Sequence, residues 1–159
     1  MLAKGGDPLL RKEARAALME ELVPLAELVT PNIPEAEVLS GISVVSIDDM
    51  KQAARLIYQR GTQNVLVKGG HREPDATDVL FDGREFYEYH QDRNDTQNTH
   101  GTGCTYSAAI ACNLATGLTI PQAVKMGKEY VTRAIRESLT IGQGIGPLNH
   151  FVKPSQMVN

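Results

Sequence analysis

The 159 residues include 42% hydrophobic and 22% charged side chains, a balance that argues against disorder and supplies enough chain for one domain with its own core. Sixteen basic against nineteen acidic residues leave a formal charge of −3. A broad nucleic-acid footprint needs a basic surface and is disfavoured, whereas a small phosphorylated ligand needs only one or two cations and some backbone donors. No stretch reaches the apolar length of a membrane span, and the opening Met-Leu-Ala-Lys-Gly-Gly-Asp-Pro lacks the apolar core of a signal peptide.

In chain order, Pro8 to Val23 has the pattern of an amphipathic helix, with Leu10, Ala14, Ala17, Leu18 and Leu22 on one side, Asp7 as N-cap and Pro24 as stop. The charged run Arg11, Lys12, Glu13 and Arg15 fits its solvated face. Leu25–Thr30 follows as a short apolar strand, and Pro34–Leu39 as a short helix closed by Gly41. Ser46 to Gly61 is the clearest helix. Ser46 caps it, Asp49 takes the capping-box position, and Met50, Ala53, Ala54 and Ile57 keep helical spacing. Asn64–Lys68 is a short buried strand breaking at Gly69-Gly70. Asp78–Phe81 and Glu85–Tyr89 flank Asp82-Gly83 as a two-residue hairpin. Gln91–Asn98 is polar and predicts a loop. The alanine-rich helix Gly101–Thr116 ends at Gly117. Thr119 and Pro121 start a last helix running to about Leu139, and Gly142, Gly144 and Gly146 predict a flexible tail before Pro147.

Strands alternating with helices imply a layered α/β fold, with a mostly parallel sheet and one antiparallel hairpin. Ligands of such sheets gather beyond the carboxyl ends of the strands, here the loops 30–37, 68–75 and 98–104. The third contains Gly101-Thr102-Gly103-Cys104 at a helix start. Orphan amides and the helix dipole favour an anion there, and they would stabilise charge on a phosphoryl group in flight. Cys104, its pKa lowered by the helix N-terminus, could take the proton of an attacking hydroxyl. The plainer alternative is a glycine-rich helix start with a buried, inert cysteine. Lys68-Gly69-Gly70-His71 offers a lysine to phosphates at a strand end, or else a surface lysine beside a tight turn. No second histidine or cysteine lies at metal-site spacing from His71. Asn32 and Glu35, three apart at a strand-to-helix turn, suit either a Mg²⁺ water shell or simple helix capping. Cys112 with Ala108, Ala109, Ala111 and Ala115 is assigned to the core, as are Tyr87 and Tyr89, for which a nucleotide-base shelf is the alternative. Cys104 and Cys112 stand about two turns apart, ~12 Å, too far for a disulfide, so free thiols point to a reducing cytoplasm.

Four runs occur in order: Leu28-Val29-Thr30-Pro31-Asn32-Ile33-Pro34-Glu35-Ala36, Val65-Leu66-Val67-Lys68-Gly69-Gly70-His71, Asn98-Thr99-His100-Gly101-Thr102-Gly103-Cys104-Thr105 and Gly146-Pro147-Leu148-Asn149-His150-Phe151. Together they closely resemble the hydroxymethylpyrimidine/phosphomethylpyrimidine kinases of thiamine biosynthesis, in the ribokinase-like superfamily. A cysteine in place of the superfamily's usual aspartate after Gly-Thr-Gly favours this branch. The resemblance implies a ribokinase-like three-layer sandwich. It also implies ATP-dependent phosphorylation of 4-amino-5-hydroxymethyl-2-methylpyrimidine and then of its monophosphate. It assigns Cys104 as catalytic base, with Gly101, Thr102 and Gly103 as anion hole. Lys68 and Gly70 fall on the ATP-phosphate loop, Asn32 and Glu35 organise Mg²⁺ through water, and Thr99 and His100 flank the site. A related branch phosphorylates pyridoxine with nearly the same loops.

Family members carry a long N-terminal half before the segment equivalent to Met1–Gly6, supplying the first strands and most of the pyrimidine pocket. The chain is therefore expected to be a single partial kinase domain, the C-terminal nucleotide- and phosphate-binding half over 1–159. It is expected to lack the N-terminal strands, to expose an apolar sheet edge, and to have little kinase activity alone. The competing expectations are a pyridoxine/pyridoxal kinase and a non-catalytic nucleotide-binding module paired with another chain. Self-association into a homo-oligomer is expected on the same ground. The partners are a small pyrimidine and ATP, with no nucleic acid and no membrane.

Overall fold

The computed structural model describes residues 11–70, 76–92 and 96–153, so Asp7, Pro8, Leu10 and His71 lie outside the described residues. The chain divides into two compact units, Met1–Gln91 and Asp92–Asn159.

In the first unit, helix α1 spans Lys12–Ala17, loosens into a π-turn over Leu18–Leu22 and tightens into a 3-10 turn over Val23–Leu25. Pro24 falls at the start of that last turn, where its missing N–H interrupts no helical bond. The strand expected over 25–30 does not form as a regular element. Leu25 belongs to the 3-10 turn, and beyond it the pairing consists of two parallel bridges, Val29↔Val65 and Asn32↔Lys68. Leu66 N donates to Val29 O and Lys68 N to Pro31 O, each at 2.8 Å. Pro31 accepts but cannot donate, which leaves a gap in the ladder.

Helix α2 (Ile33–Ser40) ends at Gly41, whose φ of +78° closes the helix in the left-handed region. Helix α3 (Ile47–Tyr58) has the expected capping box: Asp49 N donates to Ser46 Oγ at 3.1 Å, and Ser46 N to Asp49 Oδ2 at 2.8 Å. Strands β1 (Val65–Val67), β2 (Asp78–Phe81) and β3 (Phe86–Tyr89) form an antiparallel sheet in the order β1-β2-β3. The regular strands are thus antiparallel, and parallel pairing survives only as bridges. The hairpin loop is longer than the expected two residues. Phe81 pairs with Phe86, so Asp82 to Glu85 make the connection. The cause is the Asp82 side chain, whose Oδ1 accepts from Arg84 N at 2.9 Å and Glu85 N at 2.8 Å, building a side-chain turn before the strand resumes.

Met50, Ala53, Ala54 and Ile57 of α3, Val65 and Val67 of β1 and Val79 of β2 are fully buried in one core cluster. Each large side chain there contributes about 1.5–3 kcal/mol of transfer free energy. Phe81 closes the rim between Tyr58 and Phe86, with ring centroids 5.2 and 4.6 Å away, and Arg55 covers Phe86. Lys51 of α3 pairs with Glu88 of β3 at 2.7 Å, a bond that raises the lysine pKa. Tyr87 and Tyr89 are half-buried at the sheet margin instead of in the core. Burial pushes both hydroxyls upward in pKa.

In the second unit, α4 (Thr102–Ala115) packs on α5 (Ile120–Arg136). Tyr106 and Ile110 are buried, and the helices close at Gly127, where a Cβ would sit 2.9 Å from Ile110 Cγ1. Gly127 is what permits that approach. The opposite stripe of α4 corrects the core assignment: Cys104, Ala108, Ala111, Cys112 and Ala115 are exposed, and Ala109 is half-buried. Helical spacing identifies a stripe but not which of two apolar stripes meets a partner; the larger Tyr106 and Ile110 occupy the interface. The helix α5 ends at Arg136, short of Leu139. Of the 142–146 run expected as a flexible tail, Gly146 is buried and its carbonyl accepts from His100 N at 3.2 Å, and the chain beyond Pro147 is anchored. Asn149 N bonds Ala134 O at 3.0 Å, Tyr130 Oη donates to His150 O at 3.0 Å, and Leu148 and Val152 are buried. No described helix is long and apolar enough to cross a membrane.

Candidate active site

The first unit brings together Asn32, Glu35 and Lys68. Asn32 caps α2: Glu35 N donates to Asn32 Oδ1 at 2.9 Å, and Asn32 N donates to Glu35 Oε2 at 3.0 Å. This capping box fixes both side chains at the turn beside the end of β1. Lys68 is tied to the same turn three ways. Its backbone N donates to Pro31 O at 2.8 Å, it bridges Asn32, and its Nζ donates to Thr30 O. Lys68 is half-buried, with its ammonium held by Thr30 O.

Gly69 is buried and Gly70 is exposed. A Cβ on Gly69 would lie 1.8 Å from Thr77 O, whereas one on Gly70 would meet nothing within 4 Å. Gly69 N donates to Asp78 Oδ1 at 2.8 Å in a buried bond. Asp78 escapes a reading by spacing because it looks like an ordinary strand opener; only its isolation as a carboxylate at the head of an apolar strand hints at more.

The second unit holds Thr99 to Cys104. Gly101, at φ +82°, is the N-cap of α4, and no side chain caps the helix. Thr102 closes the turn: its Oγ1 donates to Thr99 O at 2.8 Å and its N to the same oxygen at 3.4 Å. The first helical bond runs from Thr105 N to Gly101 O at 2.9 Å. Among the described residues, the amides of Gly101, Gly103 and Cys104 have no acceptor, and the Cys104 thiol is free and exposed. Three unpaired donors at the positive end of a helix of this length form a ready anion site. Thr99 is half-buried and its neighbour His100 exposed.

A buried clamp behind this turn was not visible in the sequence. His100 N donates to Gly146 O at 3.2 Å, and a Cβ on Gly146 would lie 2.0 Å from Asn98 Oδ1. Asn98 Nδ2 in turn reaches Ser138 Oγ at 3.3 Å. The glycine of the 142–146 run that looked like slack is a close-approach residue.

The described residues contain no group of three or more His, Cys, Asp or Glu side chains able to hold a metal. Glu35 is the carboxylate of the α2 capping box, while the loop's other carboxylate, Glu37, accepts from Ser43 Oγ and Val44 N. That donor set suits a cation which keeps most of its water and is completed by substrate phosphates, not an all-protein cage.

Comparison with known proteins matches residues 1–149 to the phosphomethylpyrimidine kinase family. The chain is 46% identical over 157 residues to a hydroxymethylpyrimidine/phosphomethylpyrimidine kinase of Haemophilus influenzae, covering 95% of the chain and 58% of that protein. It is 44% identical to the Bacillus subtilis kinase of the same description, covering 100% of the chain and 59% of the relative. The chain thus spans under three fifths of the length of these curated relatives. Among solved structures, an ADP complex of Bacillus subtilis pyridoxal kinase superposes with TM-score 0.84 at 41% identity, over 90% of this chain and 57% of that one. A phosphomethylpyrimidine kinase of Clostridium difficile superposes with TM-score 0.73 at 42% identity, over 85% and 54%. The fold is accordingly the ribokinase-like α/β fold, represented in part. With 149 of its residues matched to one family and its relatives so similar, the chain belongs to the phosphomethylpyrimidine kinase family.

Proposed function

We propose that the chain is the nucleotide- and phosphate-handling part of an ATP-dependent kinase that phosphorylates 4-amino-5-hydroxymethyl-2-methylpyrimidine and then its monophosphate. The observation that carries this is the entrance to α4, where the unpaired amides of Gly101, Gly103 and Cys104 stand beside an exposed thiol. Amides fixed in advance at the point of developing charge are the main protein contribution to phosphoryl transfer. Cys104 is the general base for the acceptor hydroxyl, Thr102 and Thr99 shape the turn, and Lys68 with Gly70 meets the ATP phosphates. Asn32 and Glu35 set the Mg²⁺ water shell; when bound, that ion neutralises phosphate charge. The chain works as a cytoplasmic homo-oligomer, its two free thiols being suited to a reducing compartment.

A second reading, pyridoxal as acceptor, is favoured by the pyridoxal kinases of Bacillus subtilis and Staphylococcus aureus, which superpose with TM-scores of 0.84 and 0.86. One experiment separates the readings. ATP is titrated against the purified chain, and transfer of labelled γ-phosphate to the pyrimidine, its monophosphate and pyridoxal is followed with native chain and Cys104→Ala. The expected result is ATP binding in both forms and slow transfer to the pyrimidines. Loss of the base should lower that transfer by about 10²–10⁴-fold. Preference for pyridoxal selects the second reading, and absence of ATP binding overturns both.

A further inference from the structure

We infer that Asp78 is a positioning residue for the phosphate-contact loop Lys68-Gly69-Gly70, acting through the amide of Gly69; this rests on the reading that Lys68 meets nucleotide phosphates. The antiparallel ladder between β1 and β2 stops at Val67↔Val79. Lys68 N, like Leu66 N before it, donates to the neighbouring 29–31 segment, here to Pro31 O, so the next amide, Gly69 N, faces the β2 side. A chain leaving a sheet at that point loses its ladder partner, and the Asp78 carboxylate replaces it, taking Gly69 N at 2.8 Å inside the protein. Asp78 is 1% exposed. A buried carboxylate is expensive to desolvate, and a neutral side chain could accept the same bond. The charged acceptor is the stronger one, and a rigid grip on this amide is what its burial secures.

A second observation makes the grip exacting. Gly69 Cα is pressed on the Thr77 carbonyl, so close that any Cβ would collide with it, and Thr77 is itself fully buried with its Oγ1 2.9 Å from His90 Nδ1. Residues 77 and 78 therefore hold Gly69 by packing and by hydrogen bond together. Lys68, one residue earlier, is thereby pinned between two anchors: Pro31 O on its own nitrogen and Asp78 on the next. The direction in which Lys68 leaves the backbone is set by Asp78 without Asp78 touching a nucleotide.

The test compares Lys68→Ala, Asp78→Ala and Asp78→Asn in the full chain, reading affinity for ATP and for adenosine by calorimetry. Asp78→Ala should weaken ATP about tenfold and leave adenosine unchanged, since only the phosphate contact is displaced; Asp78→Asn, which keeps an acceptor for Gly69 N, should recover most of the loss. Weakening of ATP and adenosine alike, or native ATP affinity in Asp78→Ala beside a weakened Lys68→Ala, overturns the positioning role alone. Native ATP affinity in Lys68→Ala overturns the phosphate-contact reading and this inference with it. Should Asp78→Ala not fold, the Gly69 amide proton of the native chain is read directly by NMR. It should exchange at least ~10-fold more slowly than that of Gly70. Exchange as fast as at Gly70 refutes the grip.

Discussion

Replacing Gly69 by alanine should unfold the first unit's loop far more than its small volume suggests. The added Cβ would sit 1.8 Å from Thr77 O and 2.9 Å from the carbon behind it, with Met50 Cε at 3.3 Å. Two of these neighbours are backbone atoms in fully buried surroundings, so no rotamer change relieves the contact, and the strands must part by roughly 1 Å, an overpacking strain of about 1–3 kcal/mol. Parting them stretches the Gly69–Asp78 bond of 2.8 Å. A hydrogen bond to a charged group is worth about 1.5–3 kcal/mol. Together the loss is about 2.5–6 kcal/mol, a sizeable part of the ~5–15 kcal/mol that holds a typical domain. For a chain of this length that corresponds to a fall of roughly 5–24 °C in Tm. Gly70→Ala is the internal control: its Cβ meets nothing within 4 Å and its φ is ordinary, so its Tm should stay within about 3 °C of the native value or rise slightly. Thermal denaturation followed by circular dichroism checks both. A Gly69→Ala chain that melts with the native one refutes the placement of this loop against β2.

Three further outcomes are expected. Asn32→Ala removes the α2 capping box and should cost about 0.5–2 kcal/mol in a urea unfolding titration, with little change if Glu35 alone holds the turn. Gly146→Ala would drive a Cβ into Asn98 Oδ1 at 2.0 Å; it should faster-exchange the His100 amide in hydrogen–deuterium measurements, whereas unchanged protection would show that the tail does not brace the turn. Asp82 has its pKa lowered, first by the Glu85 amide, so its contribution to the hairpin is present above the ordinary carboxylate range and lost as pH falls through the lowered value. Amide exchange at Arg84 and Glu85 should accelerate on acidification in the native chain and be insensitive to it in Asp82→Asn.

Punctuation by caps and glycines was legible in the sequence because it is local. Ser46 and Asp49 cap α3 as their spacing required, and Gly41 and Gly117 follow their helices with positive φ. Asp78–Phe81 is recovered residue for residue as β2. What spacing could not supply was partnership across the chain. The strand expected over 25–30 was reduced to bridges because Pro31 lacks a donor, a consequence visible only once Lys68 is seen to lie opposite. Tyr106 and Ile110, not the alanines, face α5 because volume decides which stripe is buried. At the candidate site, the residue types of the Gly-Thr-Gly-Cys turn announced a helix-start anion site. Asp78 and the Asn98–Gly146 contact were silent, since each acts on a residue 9 or 48 positions away.

Cys104 and Cys112 are both accessible and lie on the same rigid rod about 12 Å apart, beyond the span of a disulfide. Oxidation therefore cannot close a ring within one molecule. Each chain is a bifunctional monomer in the polymer chemist's sense, and air exposure should yield covalent ladders that a reductant dissolves, not a sealed, protected single species.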